Sequence, residues 1–228
     1  RILRNREQST SLIRFSKISS VELSNKGGNR IIMKKIITIS REFGAGGGEI
    51  GSKVAQALGW EYYNKEIILK TAADSNIDMY SLMEWDEKVP FTFGFTQSLF
   101  DFYNRPMSEQ VFEAQKKVIM DIGQRGKCVI TGRNANAILK EFDGCLNVFI
   151  HADFDWRLER MKEKMPDFTY DQVANEIRTI DKKRKKYCTF YTKSEFGMAD
   201  YYDICLDSSR LGIDECISII KEVAEREN

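Results

Sequence analysis

No apolar run in this 228-residue chain approaches the roughly 18 residues that a membrane-spanning helix needs, so nothing in it reads as a span and no membrane partner is expected. No two cysteines stand in CxxC spacing. Cys128, Cys145, Cys188, Cys205 and Cys216 are scattered, which argues against a thiolate metal site and suits free thiols in a reducing compartment such as the cytoplasm. Histidine is almost missing: His151 is the single one, it follows an apolar run, and it reads as structural rather than catalytic. A concentrated basic face is missing as well. Residues 1–32 hold seven Lys or Arg against two Glu, which leaves 28 basic and 32 acidic residues for the remainder, although the net charge is +1. A mildly acidic body is poor material for replacing counterions along a phosphate backbone, so nucleic acid is not an expected partner. What remains is a chain with 42% hydrophobic residues, long enough for one α/β domain with a full core.

The chain is organised around Lys35 to Trp60, KIITISREFGAGGGEIGSKVAQALGW. Its β-branched opening, Lys35 to Ser40, predicts a buried strand. Gly44, Gly46, Gly47 and Gly48 follow, and Ile50, Val54, Ala55 and Leu58 then fall on one helical face. A helix entered from a glycine loop presents backbone N–H groups without internal partners, beside the positive end of its dipole, and so offers a phosphate site. The loop does not match GxxxxGK[ST], and its GxGxxG spacing at Gly46, Gly48 and Gly51 is a pattern that a glycine run satisfies by chance. A tight strand-to-helix turn that binds nothing is the plain alternative.

Further along, Glu61 to Tyr63 reads as a short strand and Asn64 onward as a helix. Residues 74–110 carry a dense aromatic set (Trp85, Phe91, Phe93, Phe95, Phe100, Phe102) that fits a helical subdomain core or a cover over a bound base. A helix is expected from Glu109 to Gly123, strands at Cys128 to Thr131, Leu146 to Ile150 and Tyr202 to Leu206, and helices at Phe154 to Lys164 and Ile213 to Ala224. Strands alternating with helical runs predict a parallel sheet with helices on both faces. Arg133, just after a strand, stands where such folds place ligand-binding groups, and its planar fork suits a phosphate. Residues 1–32 precede Met33 without clear amphipathic periodicity. They are read as a non-native or disordered extension before a domain spanning 33–228, with an Arg- and Ser-rich targeting peptide as the rival reading.

From Thr38-Ile39-Ser40 through REFGAGGGE to Ala57-Leu58-Gly59-Trp60, the chain resembles the cytidylate kinase-like branch of the nucleoside monophosphate kinases. Those have a strand ending Thr-Ile-Asp, then GPSGAGKGT, then a helix closing Ala-Leu-Gly-Trp. Gly132-Arg133-Asn134 resembles the family's Gly-Arg-Asp turn, and Asp207 to Asp214 its closing turn. The resemblance implies a three-layer P-loop kinase fold, with a helical monophosphate-binding insert near 64–122 and a lid near 163–195. It implies ATP and magnesium as cofactors and small nucleotide substrates as partners. On it, Gly44, Ala45, Gly46, Gly47, Gly48 and Glu49 would wrap the donor phosphates. Arg133 would hold the acceptor phosphate, and Lys65 and Lys70 match cations of the monophosphate region. Arg157, Arg160 and Arg184 would gather around the transferring group, Asp181 and Arg184 fit the family's lid pattern of an aspartate followed three residues later by an arginine, and Arg178 and Asp181 would face the substrate.

Two positions depart from the family: Gly47 stands for its phosphate lysine, and Glu49 for its hydroxyl. Arg41, where the family has glycine, is long enough to reach back over the loop and supply the charge; its alternative is a surface pairing with Glu42 or Glu49. The resulting expectation is phosphoryl transfer from ATP to a cytidylate-like monophosphate or another small phosphorylated acceptor. A nucleotide-binding regulator of the same fold without catalysis is the alternative.

Overall fold

A computed structural model describes residues 36–72, 84, 88 and 107–226. The extension over residues 1–32 and the aromatic set from Trp85 to Phe102 lie outside them.

Five strands form one sheet in the order β2-β3-β1-β4-β5, every neighbouring pair parallel. They are β1 (Ile36–Arg41), β2 (Glu61–Tyr63), β3 (Cys128–Thr131), β4 (Cys145–His151) and β5 (Ile204–Asp207). β1 lies at the centre because its run of isoleucines is buried on both faces, as a parallel strand flanked by helices requires. Its register pairs Thr38 with Ile130 on one side and with Asn147 on the other. The strand continues one residue beyond its expected end. Arg41 is therefore its last residue, paired with Ile150, and leaves from a fixed backbone.

On one face, Ile37, Ile39, Val129, Leu146, Val148 and Ile150 pack with α1 (Gly47–Leu58) and with the terminal helix Ile213–Glu225. On the other, Ile36, Cys128 and Ile130 pack with α2 (Lys65–Ala72), α3 (Met107–Arg125) and the short α4 (Ala135–Ile138). Each fully buried Ile or Leu contributes about 1.5–3 kcal/mol to these cores. Burial also raises the Cys128 thiol to about 12, so it stays protonated in the core.

The stretch expected to form a lid contains the end of α5 (Phe154–Lys164) and then one uninterrupted 23-residue helix, α6 (Tyr170–Thr192). Thr169 opens α6 with a capping box: its hydroxyl accepts from the Gln172 N–H, and the Gln172 side chain accepts from the Thr169 N–H. Although its middle is strongly basic, α6 buries Val173, Ala174, Ile177, Tyr187 and Cys188. It is a docked helix with a wet outer face rather than a wholly solvated segment.

Candidate active site

The loop from Glu42 to Gly46 joins β1 to α1 at the carboxyl end of the sheet. Gly44 and Gly46 both have positive φ, at 84° and 81°, and Gly46 caps α1 without any side-chain hydrogen bond. The N-terminus of α1 thus keeps its donors for something other than its own cap. Ser208 holds the loop from below, its hydroxyl 2.8 Å from the Ala45 carbonyl.

Behind the loop lies a buried ionic network. Arg157 is 6% exposed, and its Nη1 donates to Asp181 at 2.6 Å and to the Phe43 carbonyl at 3.0 Å. The other Asp181 oxygen accepts from the Phe43 N–H at 2.7 Å, and Arg157 Nε stands 3.7 Å from Glu42. Glu42 in turn accepts from the Ala152 N–H at 3.2 Å. Arg157 and Asp181 therefore tie α5 and α6 to the start of the loop.

At the front, Arg160 meets Glu49 at 2.5 Å, and Lys53 meets Glu49 at 3.1 Å and Asp214 at 3.6 Å. The hydrogen bond from Arg160 holds the Glu49 carboxyl below its usual pKa, with Lys53 adding to the effect.

The third group surrounds the turn after β3. Gly132, Arg133 and Asn134 are consecutive left-handed residues, with φ of 84°, 58° and 54°. Two non-glycine residues in that region cost on the order of 1 kcal/mol or more each, and the surroundings must hold them there. The Gly132 N–H donates to the Ile39 carbonyl at 2.9 Å, and the Asn134 carbonyl accepts from Ile138 at 2.9 Å. This geometry turns Arg133 inward, where it is 5% exposed. Arg41, Arg133 and Arg184 line one small cavity with Ser40, Gly132, Asn134, Tyr187 and Phe196. Arg184 also donates to the Arg41 carbonyl at 3.0 Å.

The structure therefore sorts the expected site residues into three places. Arg41, Arg133 and Arg184 converge on the cavity. Arg157 and Asp181 lie behind the loop, whereas Arg160 and Glu49 lie at its mouth beside Gly44, Ala45, Gly46, Gly47 and Gly48. Arg178 stacks on Phe154, 4.7 Å from the ring centre. Lys65 is exposed at the start of α2 and does not line the cavity, and the Lys70 side chain lies outside the described residues. Arg41 departs from its expected course. Its stem runs against Gly47, and its guanidinium lies on Gly132 instead of folding back over the loop. Glu42 and Glu49, its alternative partners, are engaged by Arg157 and Arg160. Tyr187 and Phe196 were not singled out from the sequence, because aromatic residues at these places carry no signal that separates a site wall from a core.

Among the described residues no three His, Cys, Asp or Glu side chains come together as a metal cage. Glu49, a carboxylate at the loop mouth, is held by Arg160 and Lys53, so a magnesium ion arriving with its own phosphate ligands would meet it only in exchange for one of them.

Comparison with known proteins finds a family match and a likeness of fold. The family model described as "Cytidylate kinase-like family" matches residues 36–210, from the first residue of β1 to just beyond β5. No curated protein matches the chain. Among solved structures, an uncharacterized protein from Eubacterium ventriosum is similar at a TM-score of 0.64 and 26% identity, over 84% of this chain and 99% of that one. A shikimate kinase from Bacteroides thetaiotaomicron is a weaker likeness, with a TM-score of 0.45 and 14% identity over 84% of this chain and 98% of that one.

Proposed function

The chain belongs to the cytidylate kinase-like family, and from that premise we propose that it transfers the terminal phosphoryl group of ATP to a cytidylate-like nucleoside monophosphate or another small phosphorylated acceptor. The observation that carries this reading is the convergence of Arg41, Arg133 and Arg184 on one cavity at the ends of β1 and β3, beside the uncapped N-terminus of α1. Such a reaction needs positioning and neutralised charge more than covalent chemistry. An oxygen of the acceptor phosphate attacks the terminal phosphorus, the bond to the bridging oxygen breaks, and ADP leaves with that electron pair. Amides of the α1 N-terminus bind the donor phosphates, and Arg133 orients the acceptor phosphate. Arg184, on a helix fastened to the loop, brings its charge against both. Magnesium, when carried in by the triphosphate, supplies further neutralisation, and Glu49 is the carboxylate that would meet it. The five free thiols suit a reducing, cytoplasmic setting.

A second reading, a nucleotide-binding regulator without turnover, is favoured by one observation: Gly47 stands where a P-loop has its lysine. A coupled assay across nucleoside monophosphates separates the two. Turnover with one of them supports the kinase, whereas tight ATP binding with no turnover on any acceptor supports the regulator. In the active protein, Arg133→Ala lowers kcat/KM for the acceptor by about 1.5–3 kcal/mol, the scale of a charged hydrogen bond, while ATP affinity holds. An unchanged acceptor dependence removes Arg133 from the site.

A further inference from the structure

A P-loop brings its phosphate cation in on the first turn of the helix, at the position that Gly47 occupies here. Two close approaches define what occupies the space over that position. A Cβ placed on Gly47 would lie 2.6 Å from Arg41 Cβ, 2.8 Å from its Cγ and 3.5 Å from its Cδ. Any side chain at position 47 therefore collides with the stem of Arg41. At the far end, a Cβ placed on Gly132 would lie 2.0 Å from one terminal nitrogen of Arg41 and 3.0 Å from its guanidinium carbon. Gly132 also has a φ of 84°, which a side chain rarely adopts. One side chain thus crosses the bare Cα of both glycines, from the helix mouth to the turn that carries Arg133.

We propose that Arg41 is the phosphate cation of this protein, delivered from the sheet instead of the helix, and that it serves the donor and acceptor phosphates together. The inference rests on the kinase reading and deepens it. Arg41 lies between the two phosphate-binding elements, and its own carbonyl is held by Arg184. A cation there opposes the repulsion between two phosphates brought into line.

Calorimetric titration with magnesium-ATP and, separately, with CMP tests this on the full chain. Arg41→Met keeps the stem over Gly47 and removes the charge. It weakens both ligands by about 10- to 100-fold, the equivalent of a lost charged hydrogen bond, whereas Lys221→Ala, a surface change on the terminal helix, leaves both unchanged. Gly47→Lys alone loses ATP binding, because the new side chain meets Arg41. The double variant Arg41→Gly/Gly47→Lys, with the cation moved to the helix, recovers ATP binding. If the unaltered protein binds ATP and Arg41→Met binds it equally well, the assignment of Arg41 is overturned and the kinase reading stands. If Arg41→Met weakens ATP but leaves CMP unaffected, the shared role falls. If the unaltered protein binds no magnesium-ATP, the kinase reading itself falls and takes the inference with it. Thermal melting of each variant identifies any loss caused by unfolding.

Discussion

Two arginine–carboxylate networks flank the same loop, and they differ in depth more than in chemistry. Behind the loop, Arg157 and Asp181 expose 7% and 13% of their side chains; in front, Arg160 and Glu49 expose 19% and 37%. The rear pair has given up most of its water and is repaid by hydrogen bonds to both backbone groups of Phe43. The front pair keeps solvent contact and has no backbone partner of that kind among the bonds described. A buried pair that loses one member leaves an uncompensated charge, whereas an exposed pair loses little. The rear network therefore sets the shape of the loop, and the front one is free to exchange partners when a charged ligand arrives.

The largest effect expected from this contrast is at the rear. Asp181→Ala leaves the Phe43 N–H without its acceptor and Arg157 with only the more distant Glu42 as a carboxylate partner, and costs about 3–5 kcal/mol of stability by urea unfolding. A loss under about 1 kcal/mol would erase the difference between the two networks. Arg184→Ala is intermediate, at about 1–2 kcal/mol, since it removes the donor to the Arg41 carbonyl while leaving the apolar stripe of α6 in place. An effect as large as that of Asp181→Ala would make the cavity, rather than the rear network, the main fastening of α6.

The smallest effect is at the front, where Arg160→Ala shifts stability by under about 1 kcal/mol. Its signature is in the pH dependence. The Glu49 carboxyl is held below its ordinary value of 4.5 by Arg160 first and Lys53 second. The contribution of Glu49 is thus present above the unfolded-state pKa and is lost as pH falls through the lower folded value. Melting curves from pH 6 down to pH 3 should show a slightly shallower acid loss for Arg160→Ala. Identical acid limbs would mean that Arg160 does not set the carboxyl.

The strands were legible because β-branched residues at β1, β3 and β4 leave few alternatives, and their expected and observed ends differ by a residue or so. The turn at Gly132 to Asn134 was legible from its resemblance to the family's Gly-Arg-Asp. The middle of α6 was not. Five consecutive basic residues, Lys182 to Lys186, with Arg178 just upstream, read as a solvated run, and they mask the apolar positions Val173, Ile177 and Tyr187 that dock the helix. Arg157 was legible as an arginine at its place but not as a buried one, since its burial depends on Asp181, 24 residues away. The path of Arg41 could not be read at all: it follows from a side-chain direction and from the space over two glycines 85 residues apart.

The length of α6 has a mechanical consequence. At 1.5 Å per residue its 23 residues make a rod of about 35 Å. Asp181 grips the loop near the midpoint of the rod. Farther along, Tyr187 bonds Gln115 at 3.2 Å, and Tyr191 stacks on Phe112 with ring centres 4.1 Å apart. No glycine or proline interrupts the rod between these fastenings to act as a hinge. A shift of the loop is therefore geared to α3 as lever motion of a whole helix, and hydrogen exchange along the middle turns of α6 should slow together, as one block, when a ligand seats the loop.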